Sequence, residues 1–350
     1  MKSIVLLLLS FFTALCSSVI LHKDSNLVNR FRSWIEEFNM QTNDDHQLVH
    51  VFSNWLENDK HIETINGQNL SYILGHNAYS GLNSDEFRQL MGFEINRKMF
   101  ASNEQTQTPY LRGTYTELSQ LPSTIDWRTK GAVTSVKDQG QCGSCWSFST
   151  TGALEGAYQL KYGALISFSE QQLVDCDTLS NGGKGDHGCN GGLMDNAFSF
   201  ISKYGGLCTE QSYPYVSGTT QTAGTCQKTC NLVSGSKVVS YTDVNPNSDT
   251  DMMTALTQKP VAVAIEADQR SFQLYKSGTF TGVCGMNLDH GVLLVGYTEN
   301  AYILKNSWGT SWGDKGYIYL GKGNDPATNK PYNNGAGQCG VLMEGSYVNL

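Results

Sequence analysis

Residues 141–148 read Gln-Cys-Gly-Ser-Cys-Trp-Ser-Phe, QCGSCWSF. Cys142 and Cys145 stand at C-x-x-C spacing. The following WSFSTTGALEGAYQLKYG sets Phe148, Gly152, Leu154 or Glu155, and Tyr158 at helical spacing. A cysteine pair at the entry to a helix has three readings. A redox pair follows a strand in a small βαβ domain; here VTSVKDQGQ is short and no βαβ alternation follows. A zinc site would add Cys226 and Cys230, but further cysteines lie between the two pairs, and an oxidising compartment favours disulfides. The third reading is asymmetric. Cys142 is structural, and Cys145 is a nucleophile at a helix N-terminus, whose partial positive charge and free N–H groups favour the thiolate.

The rest of the chain sets the context. MKSIVLLLLSFFTALCSS has the basic start, short apolar core and small-residue end of a secretory signal, assigned to residues 1–18. Ten cysteines in a secreted chain predict disulfides. Removing Cys16 with the signal leaves an odd count, so one thiol stays unpaired. A net charge of −8 without any Lys/Arg-rich block argues against nucleic-acid binding, and no later apolar run is long enough to span a membrane. Residues 19–120 hold no cysteine and end in the polar tract ASNEQTQTPYLRGTYTELSQ, which suggests a removable pro-segment. The acceptor Asn69-Leu70-Ser71 lies in that leader.

The body, residues 121–350, divides by periodicity. Ser169 with Gln172 predicts a capping box opening the helix SEQQLVDC. Leu193, Ala197, Phe198 and Ile201 form the apolar face of another helix, stopped at Gly205-Gly206. PVAVAIEA, GVLLVGYT, AYILKN and GYIYLG read as strands. Helices first and strands later predict an α+β protein of two subdomains.

A nucleophilic cysteine needs a base. The body offers His187, in the glycine-rich loop NGGKGDHGCN, and His290, directly before a strand. Folded as a hairpin about Thr298, the stretch LDHGVLLVGYTENAYILKNSWG sets His290 opposite Asn306 on one face. Asn306 is then placed to orient the imidazole, and Trp308 to shield that bond from water.

These residues carry a resemblance. Gln139-Gly140-Gln141-Cys142-Gly143-Ser144-Cys145-Trp146 resembles the active-site segment of papain-like cysteine peptidases of the cathepsin L-like subgroup. Leu288-Asp289-His290-Gly291-Val292 and Lys305-Asn306-Ser307-Trp308-Gly309 resemble that family's histidine and asparagine segments, in order. Further matches run from Asp126-Trp127-Arg128 to Cys339-Gly340, so the resemblance covers residues 121–350. In the leader, Trp55, Asn58, Ile62 and Asn66 match the latter part of the helical pro-segment pattern, and Gly75-x-Asn77-x-Tyr79 the next motif. Gln47 and Val51 replace the family's Glu and Arg, and Gly81 its acidic residue.

The resemblance implies a helical N-terminal half, a β-barrel-like C-terminal half and a cleft between them. It implies a monomeric endopeptidase made as a zymogen, with Cys145 as nucleophile, His290 as acid and base, Asn306 as orienter and Gln139 as oxyanion donor. No metal or organic cofactor is required. It implies disulfides Cys142–Cys189, Cys284–Cys339 and Cys176–Cys226. Cys208 and Cys230 are additions assigned to each other, with exchange of Cys226 and Cys230 left open. Gly191, Gly192, Asp289 and Trp308 are expected at the substrate, and Leu193, Met194, Ala264, Leu288 and Glu344 around the main specificity pocket. The apolar members suit an apolar residue two before the scissile bond, and Glu344 suits Arg. Expected partners are protein and peptide substrates, the chain's own propeptide as inhibitor, and cystatin-type inhibitors. The expected location is the secretory pathway, leading to a lysosome or vacuole or outside the cell. A non-catalytic binding protein of the same fold is the competing reading, and the presence of all four catalytic residue types counts against it.

Overall fold

The computed structural model describes residues 25–91 and 121–350. The signal segment, residues 1–18, and the polar tract closing the leader lie outside the described residues. No helix among the described residues is long and apolar enough to cross a membrane.

The leader contributes α1 (Ser25–Glu37), α2 (Asp45–Asn66), the short strand β1 (Tyr72–Leu74) and α3 (Ser84–Gln89). Phe31, Trp34, Leu48 and Trp55 form its own small core. Asp44 caps α2, its carboxylate accepting the Gln47 N–H at 2.8 Å. Gln47 Oε1 accepts the Asn43 N–H at 2.6 Å, so Gln47 completes the cap rather than leaving the helix start ragged. At Gly81 a Cβ would stand 2.9 Å from both Val51 Cγ1 and the Trp34 ring. The two departures from the ionic pattern, Val51 and Gly81, therefore meet each other in a close apolar contact. Asn66 brackets β1, donating to the Leu74 carbonyl at 3.0 Å and accepting the Leu74 N–H at 2.8 Å.

The first half of the body is helical. It comprises α4 (Cys145–Tyr162), α5 (Glu170–Cys176) and α6 (Met194–Tyr204). Gly163 and Gly205 end α4 and α6 in the left-handed region, with φ of 72° and 102°, which glycine adopts without strain. The capping box at α5 forms by half. Ser169 Oγ accepts the Gln172 N–H at 3.0 Å, but Gln172 Oε1 turns away to accept the Cys208 N–H at 2.7 Å. A buried backbone donor outcompetes the helix's own first turn for that side chain.

The second half is built on β2 (Ile125–Asp126), β3 (Ser240–Asp243), α7 (Asp249–Gln258), β4 (Val261–Ile265), β5 (Tyr275–Phe280), β6 (His290–Tyr297), β7 (Ala301–Lys305), β8 (Tyr317–Gly321) and β9 (Gly345–Asn349). The sheet order is β1-β5-β8-β7-β6-β4-β9-β3, with β2 also paired to β6. β5 and β8 run parallel and every other pair is antiparallel. The leader thus supplies an edge strand: β1 pairs with β5, Tyr72 opposite Gly278. Gly278 has φ 89°, and a Cβ there would collide with the Ser71 carbonyl.

Four disulfides form: Cys142–Cys189, Cys176–Cys226, Cys208–Cys230 and Cys284–Cys339. Cys145 is the free, buried thiol. A buried charge network joins the halves. Lys137 Nζ reaches Glu155 at 2.8 Å and Glu170 at 2.5 Å, Thr134 donates to Glu155 at 2.6 Å, and Lys305 of β7 donates to Thr134 at 2.9 Å. Removing one partner strands the opposite charge in a low-dielectric interior. Glu155→Ala is expected to lower the unfolding free energy by about 3 kcal/mol, read from urea titration. A loss under about 0.5 kcal/mol would show the network to be dispensable.

Candidate active site

Three elements converge. Cys145 is the first residue of α4, His290 the first of β6, and Asn306 follows the last residue of β7. Gly291 N–H donates to Cys145 Sγ at 3.3 Å. His290 Nε2 lies 2.8 Å from Asn306 Oδ1, which also accepts the Ser307 N–H at 2.8 Å. An oxygen already accepting an N–H takes a second proton donor, so Nε2 carries the imidazole proton and Nδ1 is left free for the thiol.

The bond arises differently from the hairpin expectation. The turn is centred between Glu299 and Asn300 rather than at Thr298: the Thr298 N–H meets the Ala301 carbonyl at 2.7 Å and Tyr297 pairs with Tyr302, and beyond a bulge between Leu294 and Gly296 Leu293 pairs with Lys305. Asn306 has left the strand, its N–H donating to the Gly316 carbonyl at 3.0 Å. It reaches back to His290 from a turn rather than from across the ladder. Trp308 stacks on the imidazole at 4.6 Å between centroids and is 2% exposed, so the His290–Asn306 bond is sealed from water.

Gln139 is held from the opposite half. Its Oε1 accepts from Ser307 Oγ at 2.7 Å and its N–H donates to the Ser307 carbonyl at 2.8 Å. Its Nε2 donates to the Cys142 carbonyl at 3.0 Å and to the leader's Leu90 carbonyl at 3.2 Å. Neither Ser307 nor Leu90 was singled out in the sequence. Ser307 stood inside the quoted asparagine segment, whereas no local signal marked Leu90.

The leader covers this constellation. Tyr79 and Phe87 set their rings edge-on to Trp308 at 5.6 and 5.2 Å. Asn77 Nδ2 donates to the Gln273 carbonyl, and Gln273 Nε2 to the Tyr79 and Leu82 carbonyls. Arg88 pairs with Asp268 at 2.9 Å.

The expected pocket residues also assemble. Met194, Ala264 and Leu288 belong to one apolar cluster, with Leu193 at its margin. Glu344 joins them through its carbonyl, which accepts the Ala264 N–H at 3.2 Å. Burial pushes its carboxyl up to about 7, helped by Asp195 and Asp243. Those two acids were not expected at the pocket. Gly192 lies against the Trp146 ring, 2.6 Å from where a Cβ would stand. Asp289 is half-buried and accepts the Ala267 N–H at 2.7 Å. Burial pushes its carboxyl up to about 8, with Asp268 and Glu266 adding to the shift. Asn69 is exposed. No group of three or more His, Cys, Asp or Glu side chains suited to a metal occurs among the described residues.

A model described as the papain family cysteine protease matches residues 121–349. The chain belongs to the papain family of cysteine proteases. A second model, the cathepsin propeptide inhibitor domain, matches residues 31–87. The senescence-specific cysteine protease SAG39 of Oryza sativa subsp. japonica is 40% identical over 342 residues, 95% of this chain and 94% of that protein. Cysteine protease XCP2 of Arabidopsis thaliana is 38% identical, over 93% of this chain and 87% of its own. Among solved structures, a recombinant stem bromelain precursor aligns with a TM-score of 0.80 at 32% identity, covering 93% of this chain and 99% of that one. The proform of the ragweed pollen allergen Amb a 11 aligns with a TM-score of 0.77 at 33% identity, over 92% and 94%.

The protein is a papain-like cysteine endopeptidase carrying its own inhibitory pro-domain, and its disulfides accord with a secretory route. In this zymogen burial governs the reactive pair. It pushes the Cys145 thiol up to about 12 and His290 down to about 4, the Asn306 bond opposing the latter. The thiolate expected from the sequence, and an imidazolium beside it, are both disfavoured by this burial. Full-length protein near neutral pH should therefore resist thiol alkylation at Cys145, and acid-processed protein should react at least about tenfold faster. Mass mapping of a timed labelling series checks this; equal rates would mean the leader does not control the thiol.

Proposed function

We propose that, once the leader is displaced, Cys145 attacks a peptide carbonyl as the thiolate of a Cys145–His290 ion pair. The thiolate electron pair forms the C–S bond, and the carbonyl oxygen takes up the negative charge. Gln139 Nε2 and the Cys145 backbone N–H stabilise that oxyanion. His290 gives its proton to the leaving amine, and water, deprotonated by His290, then hydrolyses the acyl-enzyme. Asn306 keeps the imidazole oriented, as an Asp does in serine triads. The single observation that carries this reading is the Leu90 carbonyl on Gln139 Nε2. A main-chain carbonyl already lies where the developing oxyanion would accept.

The reading assigns residues 1–18 to a signal, 19–120 to the propeptide and 121–350 to the mature enzyme. Asn69 is proposed as a glycan acceptor. The enzyme acts as a monomer in an acidic vacuole or lysosome or after secretion, with cystatin-type proteins as further inhibitors. Gly191 and Gly192 receive the substrate backbone, and Trp308 and Asp289 border the cleft. The pocket of Leu193, Met194, Ala264, Leu288 and Glu344 takes an apolar residue or Arg two before the scissile bond.

Cys145→Ser is expected to abolish hydrolysis of a Phe-Arg coumarin substrate, and Gln139→Ala to lower kcat by about 100-fold. Retention of activity in Cys145→Ser would overturn the thiol mechanism. Glu344 is neutral below its raised value and ionised above it, so acceptance of Arg-Arg relative to Phe-Arg should grow as pH rises through about 7. Glu344→Ala should flatten that ratio; an unchanged pH trend would remove Glu344 from the pocket's chemistry.

A further inference from the structure

The loop between α5 and α6 carries NGGKGDHGCN, which the catalytic reading leaves unused. His187 within it is exposed, but two carboxyl groups are not: Asp177 is 1% exposed and Asp186 4%. Asp186 Oδ1 accepts the Leu193 N–H at 3.0 Å and the Asn196 Nδ2–H at 3.1 Å. Asp186 Oδ2 and both Asp177 oxygens meet no N–H or hydroxyl donor among the described residues. The two side chains are instead in hydrogen-bond contact with each other. Two facing carboxylates without N–H or hydroxyl donors repel, whereas one proton between them makes a charge-assisted hydrogen bond.

We propose that Asp177 and Asp186 share one proton in a buried carboxyl–carboxylate hydrogen bond, and that this bond positions the Gly191–Leu193 segment against the substrate backbone. The inference rests on the peptidase reading above. Asp186, with two N–H donors on its other oxygen, is the ionised member, and Asp177 holds the proton. Burial raises both groups, and the Asp186 charge raises Asp177 further. The basic residues facing the pair are Lys203 of α6, which acts on Asp177, and His187, which acts on Asp186; both pull downward against the larger effect of burial. Asp195, also on α6, turns away to accept from Ser346.

The link to substrate is direct. Asp186 holds the Leu193 N–H, and its carboxyl carbon lies 2.9 Å from where a Cβ on Gly192 would stand. The Trp146 ring closes the other side of Gly192. The His187 N–H donates to the Gly191 carbonyl at 2.8 Å, completing the loop. Asp177 and Asp186 are positioning residues, since neither touches a reacting atom.

The test compares acid-matured wild type, Asp177→Asn and Asp177→Ala. KM and kcat for the Phe-Arg coumarin substrate are measured from about pH 5 to about pH 9, with active enzyme counted by epoxide titration. A group whose folded pKa is raised keeps its proton at acid pH and loses it as pH climbs, so wild-type KM should rise only on the alkaline side. Asn replaces the shared proton with an amide N–H. Asp177→Asn should keep the acid KM within about twofold and flatten the alkaline rise relative to wild type, leaving only the part due to Glu344. Asp177→Ala should raise KM about tenfold across the range with kcat nearly unchanged. Identical KM profiles for wild type and Asp177→Asn, or an acid KM for Asp177→Asn raised as far as that of Asp177→Ala, would overturn the proposal. The wild-type and Asp177→Asn curves suffice if Asp177→Ala does not fold. Failure of the peptidase reading is separate: it would appear as no epoxide-titratable thiol in wild type.

Discussion

The indole of Trp308 stands between the catalytic imidazole and the leader, and much of the molecule is arranged around its faces. One face stacks on His290 and seals the bond to Asn306. Phe272 and Trp312 of the β half, and Tyr79 and Phe87 of the leader, pack against it at steep angles. A buried imidazole bond retains its strength only where water cannot compete for the partners. The same large apolar surface, left open in a cleft, is where an inhibitory segment gains most from burial. The ring that protects the site is thus also the ring on which the pro-domain docks.

That docking suppresses chemistry in two ways. It places a carbonyl on Gln139, occupying a donor proposed for the transition state. It also covers Trp308 beside a site where burial drives Cys145 and His290 toward their neutral forms. Neither effect needs the ionic pattern that the leader lacks. Val51 and Gly81 meet in an apolar contact where the resemblance would set opposite charges, and Gln47 serves the cap of α2. The docked geometry is maintained by side-chain bonds to backbone carbonyls from Asn77 and Gln273, and by β1 on the open edge of β5.

Local signals were read well where one residue type has one local use. The helix after Cys145, the stop of another at Gly205, and the four apolar runs of the β half correspond to α4, the end of α6, β4, β6, β7 and β8. The capping box at Ser169 was read too simply, because Gln172 had a tertiary partner in Cys208. The hairpin register was misjudged because the turn closes from Thr298 to Ala301, centred past Glu299, rather than about Thr298, and the Asn306 contact survives through the segment after β7 instead.

By itself the sequence determined the family, the α+β class, the zymogen architecture and the residue types of the candidate site. Those follow from motifs, periodicity and cysteine arithmetic, all short in range. Only the tertiary structure decided that Leu90 would sit on Gln139, that Asp195 and Asp243 would stand behind Glu344, and that Asp177 would face Asp186. It also decided the burial that drives Cys145 and His290 toward their neutral forms. The physical reason is common to all four. Each depends on which groups far apart in the chain share a volume closed to water, and a charge state or a carbonyl's partner is set by that volume rather than by its neighbours in sequence.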